Sequence, residues 1–192
     1  MSENFFKENI ISKEKLRIEI ARAFRAAQKM DNYEDKIEEL RILRLEKIKG
    51  LDSEKEERYQ TLRKEIADCE LLVKSVVEYK KVLELLPLSK EQINSILNHE
   101  NAHANIGEQV KTHKIEGFRI RFIKDRNNNI GFMPSVKIST NISAPEKEVL
   151  EETILITEAP LNYGDVLSKD DEDQIEAARK RLEVLNTKNE EK

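Results

Sequence analysis

The sequence predicts an α+β protein, mainly α-helical with a small β hairpin, on three observations. Of 192 residues, 38% are charged and 5% aromatic, with only 5 Gly and 4 Pro, a composition that favours long solvated helices over a large core. Apolar residues recur at three- and four-residue steps through the N-terminal half. Strict alternation appears only near residue 120. The expected organisation is an antiparallel helical hairpin or coiled-coil arm over 1–87, a compact domain over 88–186 built around a His-Glu-x-x-His helix, and a disordered tail over 187–192.

From Ser12 to Met30, Leu16, Ile20, Ala23, Phe24 and Ala27 form one apolar stripe, which predicts an amphipathic helix. A second helix starts between Asn32 and Asp35 and carries Ile37, Leu40, Leu43 and Ile48 up to Gly50, a helix stop. Asp52 or Ser53 caps a third, in which Leu62, Ile66, Cys69, Val73, Val76 and Leu83 keep a three-four alternation until Pro87, with Tyr59 and Tyr79 beside the seam. So narrow a stripe needs a partner helix, from this chain or from a second protein or copy.

Beyond Pro87, Ser89-Lys90-Glu91-Gln92 has the form of a capping box and opens a helix that runs to about Gly107. Phe118, Ile120 and Phe122 alternate with Arg119 and Arg121, a half-buried strand. Asp125 to Asn129 supplies turn residues, and Ile130 to Ile138 a second strand, placed at an edge or bulged because Pro134 lacks an N–H. Ser139 to Glu146 reads as a loop. Glu148 to Thr157 suits either state, with a helix favoured at its start. After a loop over Leu161 to Leu167, Ser168 caps a last helix with the stripe Ile175, Ala178, Leu182 and Leu185, which frays from Asn186.

Charge and cysteine usage narrow the function classes. Lys+Arg 34 against Asp+Glu 38 leaves a net charge of -4 and no overall attraction to nucleic acid. The cluster Arg41, Arg44, Lys47 and Lys49 is interleaved with Glu38, Glu39 and Glu46, so no nucleic-acid partner is expected. Cys69 is the single cysteine, which excludes an intrachain disulfide and fits a reducing compartment. Phe5, Phe6, Ile10 and Ile11 are interrupted by Lys7 and Glu8, unlike a secretory signal, and no window reaches the ~20 apolar residues of a membrane span. A soluble, cytoplasmic protein without a membrane partner is expected.

The chemistry concentrates in His99-Glu100-Asn101-Ala102-His103. Histidines four apart on a helix project from one face and can close on one metal ion. Glu100 lies beside them, where it can take a proton from an attacking water and deliver it to a leaving amine. The neighbours Ile96, Leu97, Asn98, Ala102 and Ala104 carry no charge in a densely charged chain. Catalytic zinc takes three protein ligands, so a third must come from elsewhere. An extended motif with Gly at 106 and His at 109 is excluded by Ile106 and Gln109. Open candidates are Asp170, Asp171 or Asp173 in the first turn of the last helix, with Glu148, Glu151, Glu152 and His113 as competitors. A first-turn carboxylate is preferred, because Ser168 can hold its backbone.

The region from His99 to Asp173 resembles the zinc peptidase domain of FtsH-type ATP-dependent proteases and their small stand-alone HExxH relatives. His99-Glu100-Asn101-Ala102-His103-Ala104 resembles that family's HEAGHA helix, Ile115 to Ile123 its following strand, and Leu167-Ser168-Lys169-Asp170-Asp171 with Ile175 and Ala178 its aspartate-bearing helix start. Asn101 and Asn105 stand where that family has apolar residues, and no P-loop is present. The resemblance implies a zincin-like domain and a zinc metallopeptidase with Zn2+ held by His99, His103 and Asp171, or else Asp170, and with Glu100 as catalytic base. A peptide or protein substrate would pair with the edge of the Phe118 to Ile123 strand, while Arg119 and Arg121 face solvent or bind substrate carboxylates. The alternative is a non-catalytic helical interaction or scaffold protein with a structural or vestigial metal site.

Overall fold

The computed structural model describes residues 11–47, 51–141 and 143–190, without the side chains of 41, 44–47 and 188–190. Seven helices and a three-stranded antiparallel sheet make up the described residues. The chain divides into two compact units, one formed by the described residues up to Leu71 with Ile120–Met133, the other by Leu72–Arg119 with the described residues from Pro134 onward. The Phe5 to Ile10 stretch, Ile48, Lys49 and Gly50 lie outside the described residues, as do the side chains of Arg41, Arg44 and Lys47.

In the first unit, α1 (Lys13–Lys29) starts at Ser12, whose side chain accepts from the Lys15 N–H, and buries Leu16, Ala23 and Ala27 of the expected stripe, while Ile20 is half-buried and Phe24 exposed. α2 (Tyr33–Lys47) and α3 (Ser53–Asp68) form the expected antiparallel hairpin. Their ion pairs fix the direction, Lys36 meeting Glu65 at 2.7 Å and Arg58 meeting Glu39 at 2.6 Å. Exposed pairs of this kind add little stability. The clustering of Leu43, Tyr59 and Leu62, flanked by Leu40 and Leu51, contributes more, since each large apolar side chain fully buried is worth about 1.5–3 kcal/mol.

The third helix does not run to Pro87. It ends at Asp68, Cys69 caps it, and the chain turns into β1 (Glu70–Val73) before α4 (Val76–Leu83). Cys69, Leu71 and Val73 satisfy a two-residue period as well as a helical one, and pairing decides between them: the Phe122 N–H donates to the Cys69 carbonyl at 2.9 Å. Ser75 restarts the helix by accepting from the Glu78 N–H, while the Glu78 carboxylate accepts from the Lys74 N–H. The sequence Ser75-Val76-Val77-Glu78 is thus a capping signal hidden inside an apolar run.

In the second unit, Ser89 and Gln92 form the full capping box of α5 (Lys90–Gly107). β2 (His113–Lys124) and β3 (Ile130–Thr140) are the expected hairpin; its tip, Ile120–Met133, belongs to the first unit and is turned by Asp125, whose carboxylate accepts from the N–H groups of Asn127 and Asn129. Strand order β1-β2-β3 puts β2 in the centre and Pro134 on an edge strand. Edge pairing of a substrate with residues 118–123 is therefore excluded, because strands already occupy both sides of that stretch of β2. Residues 146–157 are helical throughout as α6 (Glu146–Thr157). A 3₁₀ turn at Ala159–Tyr163 leads to α7 (Lys169–Glu190), which buries Ile175 and Ala178, leaves Leu182 and Leu185 half-buried, and continues past Asn186.

Gly117 has φ +142°, and a Cβ there would stand 2.3 Å from the Val73 carbonyl oxygen. At Gly131 a Cβ would meet only Ile123, at 3.7 Å. Gly117→Ala is expected to lower stability by about 2–4 kcal/mol in urea denaturation, and Gly131→Ala by less than about 1 kcal/mol.

Candidate metal centre

α5 presents His99 and His103 one turn apart, their rings 4.8 Å between centroids and nearly perpendicular. The two Nε2 atoms are 3.2 Å apart. Asp171, in the first turn of α7, brings Oδ2 to 3.2 Å from the His99 Nε2 and Oδ1 to 3.6 Å from the His103 Nε2. One ligand atom from each of these residues lies within 4.8 Å of the others, and no other group of three among the described residues meets that condition.

The far side of each ring sets its tautomer. The Ile156 carbonyl, at the end of α6, can only accept, so His103 Nδ1 donates to it at 2.8 Å and a neutral ring presents a lone pair at Nε2. The Asp165 carboxylate does the same for His99, with Oδ2 3.1 Å from Nδ1. With both rings deprotonated, as a metal requires, two imidazole lone pairs and a carboxylate converge on one point. That state repels itself unless a cation lies between the donors; a proton on the His99 Nε2, donated to Asp171, fills the place otherwise, and partners behind the rings are the usual support of metal-bound histidine. With Zn–N distances of about 2.0–2.1 Å, tetrahedral nitrogens stand about 3.3 Å apart, which the His99–His103 pair matches.

Asp171 is anchored before any ligand arrives. Its Oδ2 accepts from the Ser168 hydroxyl at 2.7 Å and the Ser168 N–H at 3.0 Å, while its own N–H donates to the Ser168 Oγ at 3.2 Å. This is a capping box with Asp in place of Glu. Burial raises the Asp171 carboxyl, but the bonds from His99 and Ser168 outweigh it and hold it below its usual range. The Asp171 bond is the largest influence on His99, lifting it to about 8. Burial pushes His103 down, so a metal competes with at most one proton in this cluster.

Glu100 is 6% exposed. Burial lifts its carboxyl to about 7, against the opposing pull of His99, of the Val136 N–H on β3 and of Arg119. A carboxyl poised near neutrality both accepts and returns a proton efficiently.

The remaining sequence candidates lie elsewhere. Asp170 is exposed on α7, Asp173 pairs with Lys169, Glu151 pairs with Lys147, and Glu148 is exposed. Glu152 accepts from the N–H groups of Lys111 and Thr112 and from the Thr112 hydroxyl at 2.6 Å. His113 begins β2 rather than sitting in a loop, its nitrogens 2.8 and 3.1 Å from the hydroxyls of Thr112 and Thr153. Arg119 donates to Ser135 and Arg121 pairs with Glu70, so neither is simply solvated. Sequence reasoning missed Asp165, the Ile156 carbonyl and the Val136 N–H. Only Asp165 carries a local signal, an acid in a Gly-Asp step just before the capped helix. No family model, curated protein or solved structure matches the chain.

Burial works to raise the Glu152 carboxyl, yet its bonds from Thr112, Lys111 and His113 hold it down at about 2. Its folded value lies below the ordinary 4.5, so its contribution to stability is present above that value and is lost as pH falls towards about 2. Urea midpoints measured between these limits are expected to fall more steeply in the wild type than in Glu152→Gln; parallel profiles would contradict the assignment.

Proposed function

We propose that the chain is a zinc-dependent peptidase, with His99, His103 and Asp171 holding Zn2+ and Glu100 handling the proton. The observation that carries this reading is the meeting of three lone-pair donors, each fixed from behind, beside a buried carboxyl near neutrality. Zinc in such a site would make water acidic near neutral pH and polarise a carbonyl. Resemblance to the peptidase domain of FtsH-type proteases supports the same assignment.

The chain's own residues divide the work. Glu100 takes the proton of the attacking water and returns it to the leaving amine, and the apolar surroundings that raise its pKa make both transfers favourable. Val136 holds the carboxylate in place through its N–H. The substrate is a peptide in extended form lying along the outer edge of β3, which has no strand beyond it among the described residues and reaches Glu100 at Val136. Asp165 and Ile156 keep both imidazoles in the tautomer that metal binding needs. The single buried thiol, Cys69, suits a cytoplasmic setting, and no helix among the described residues is long and apolar enough to cross a membrane.

A second reading rests on the antiparallel α2–α3 hairpin, whose Ile42 is 47% exposed: a helical interaction protein that binds a partner or a second copy there, with a structural metal. Glu100→Gln separates the two. If the chain is a peptidase, the variant retains one equivalent of zinc by metal analysis while hydrolysis of a mixed peptide pool falls roughly 10²–10⁴-fold. Zinc retained with no turnover in the wild type would favour the interaction protein.

A further inference from the structure

Asn101 and Asn105 follow His99 and His103 by two residues each, so at about 100° per residue they project from the opposite side of α5. On that side lies a cavity of about 670 Å³. One wall is the helix face of Asn101, Asn105 and Glu108, and the other is the beginning of β2 from Lys114 to Phe118. β1 ends at Val73, whose carbonyl lies over Gly117. The stretch of β2 before Gly117 therefore has no strand beside it on that side among the described residues, and the Lys74 Nζ donates to the Glu116 carbonyl at 2.8 Å.

We propose that this groove binds an extended segment of a partner polypeptide, by strand addition to the open edge of β2, at a site separate from the metal centre. The side-chain amides of Asn101 and Asn105 make no hydrogen bond among the described residues. Each offers both a donor and an acceptor, the pair that a peptide unit requires. Residues four apart on a helix stand about 5–6 Å apart, and an extended chain repeats its outward-facing peptide groups about every 6.6 Å. The two amides therefore meet alternate residues of one strand while its other edge meets β2.

Charge specifies the occupant further. Lys114 and Glu108 have no ion-pair partner among the described residues and line the same groove. The segment carries an acidic residue beside Lys114 and a basic residue beside Glu108, with an apolar side chain set down on Val76, 39% exposed, and Ile115. Gly117 keeps the floor open, since no side chain fits between it and Val73.

The test is a phage-displayed random dodecapeptide library selected on the full chain, followed by titration of an enriched peptide in ¹H–¹⁵N spectra. The expected result is enrichment of peptides bearing one acid and one base, with shifts at the side-chain amides of Asn101 and Asn105 and the N–H of Gly117. Asn101→Ala/Asn105→Ala and, separately, Lys114→Glu should each weaken binding at least tenfold while spectral dispersion is retained. Failure to enrich any peptide, shifts confined to His99, His103 and Asp171, or unchanged affinity in the folded double variant would overturn the proposal. The readout is binding, so absence of hydrolysis leaves it unaffected.

Discussion

Three lone pairs aimed at one point are the constraint around which Leu72–Arg119 and the described residues from Pro134 are organised. Helix α5 supplies two of them, and α7 the third through an aspartate that caps its own helix. The end of α6 contributes only a carbonyl, and the loop after the 3₁₀ turn only one carboxylate, yet these two groups decide which nitrogen of each imidazole faces inward. Without a cation the cluster is held apart from electrostatic balance, and a single proton on His99, whose pKa stands at about 8, is what the protein itself can offer in place of a metal.

Features governed by neighbours in the chain were legible in the sequence. The Ser89–Gln92 box, the His99/His103 spacing, the Ser168 cap that steadies Asp171, and the Asp125–Asn129 turn each depend on contacts within a few residues, and each stands where its pattern puts it. The residues from Cys69 to Val73 were not, because their apolar spacing satisfies both a helix and a strand; only Phe122, more than fifty residues away, selects the strand. The central position of β2 follows from that same choice. Asp165 and Ile156 escaped notice for a related reason: a carboxylate in a loop and a backbone carbonyl acquire meaning only once α5 is packed against them.

Helix α5 carries different chemistry on its two sides. One side is histidine, acid and small apolar residues, buried enough to move pKa values; the other is asparagine and charge facing a wide groove. Asn101 and Asn105 lie on that second side. Substitutions on one side therefore leave the donors on the other in place, so the proposed metal binding and the proposed peptide docking can be tested separately on one helix.

Whether α5 and α7 hold zinc is decided by the metal content and coordination of the purified protein. Zinc analysis combined with X-ray absorption at the zinc edge is predicted to find one equivalent, coordinated by two imidazole nitrogens and at least one oxygen, with Zn–N near 2.0 Å. A chain that stays metal-free when dialysed against excess zinc, or whose zinc is bound by a single imidazole, would contradict the account.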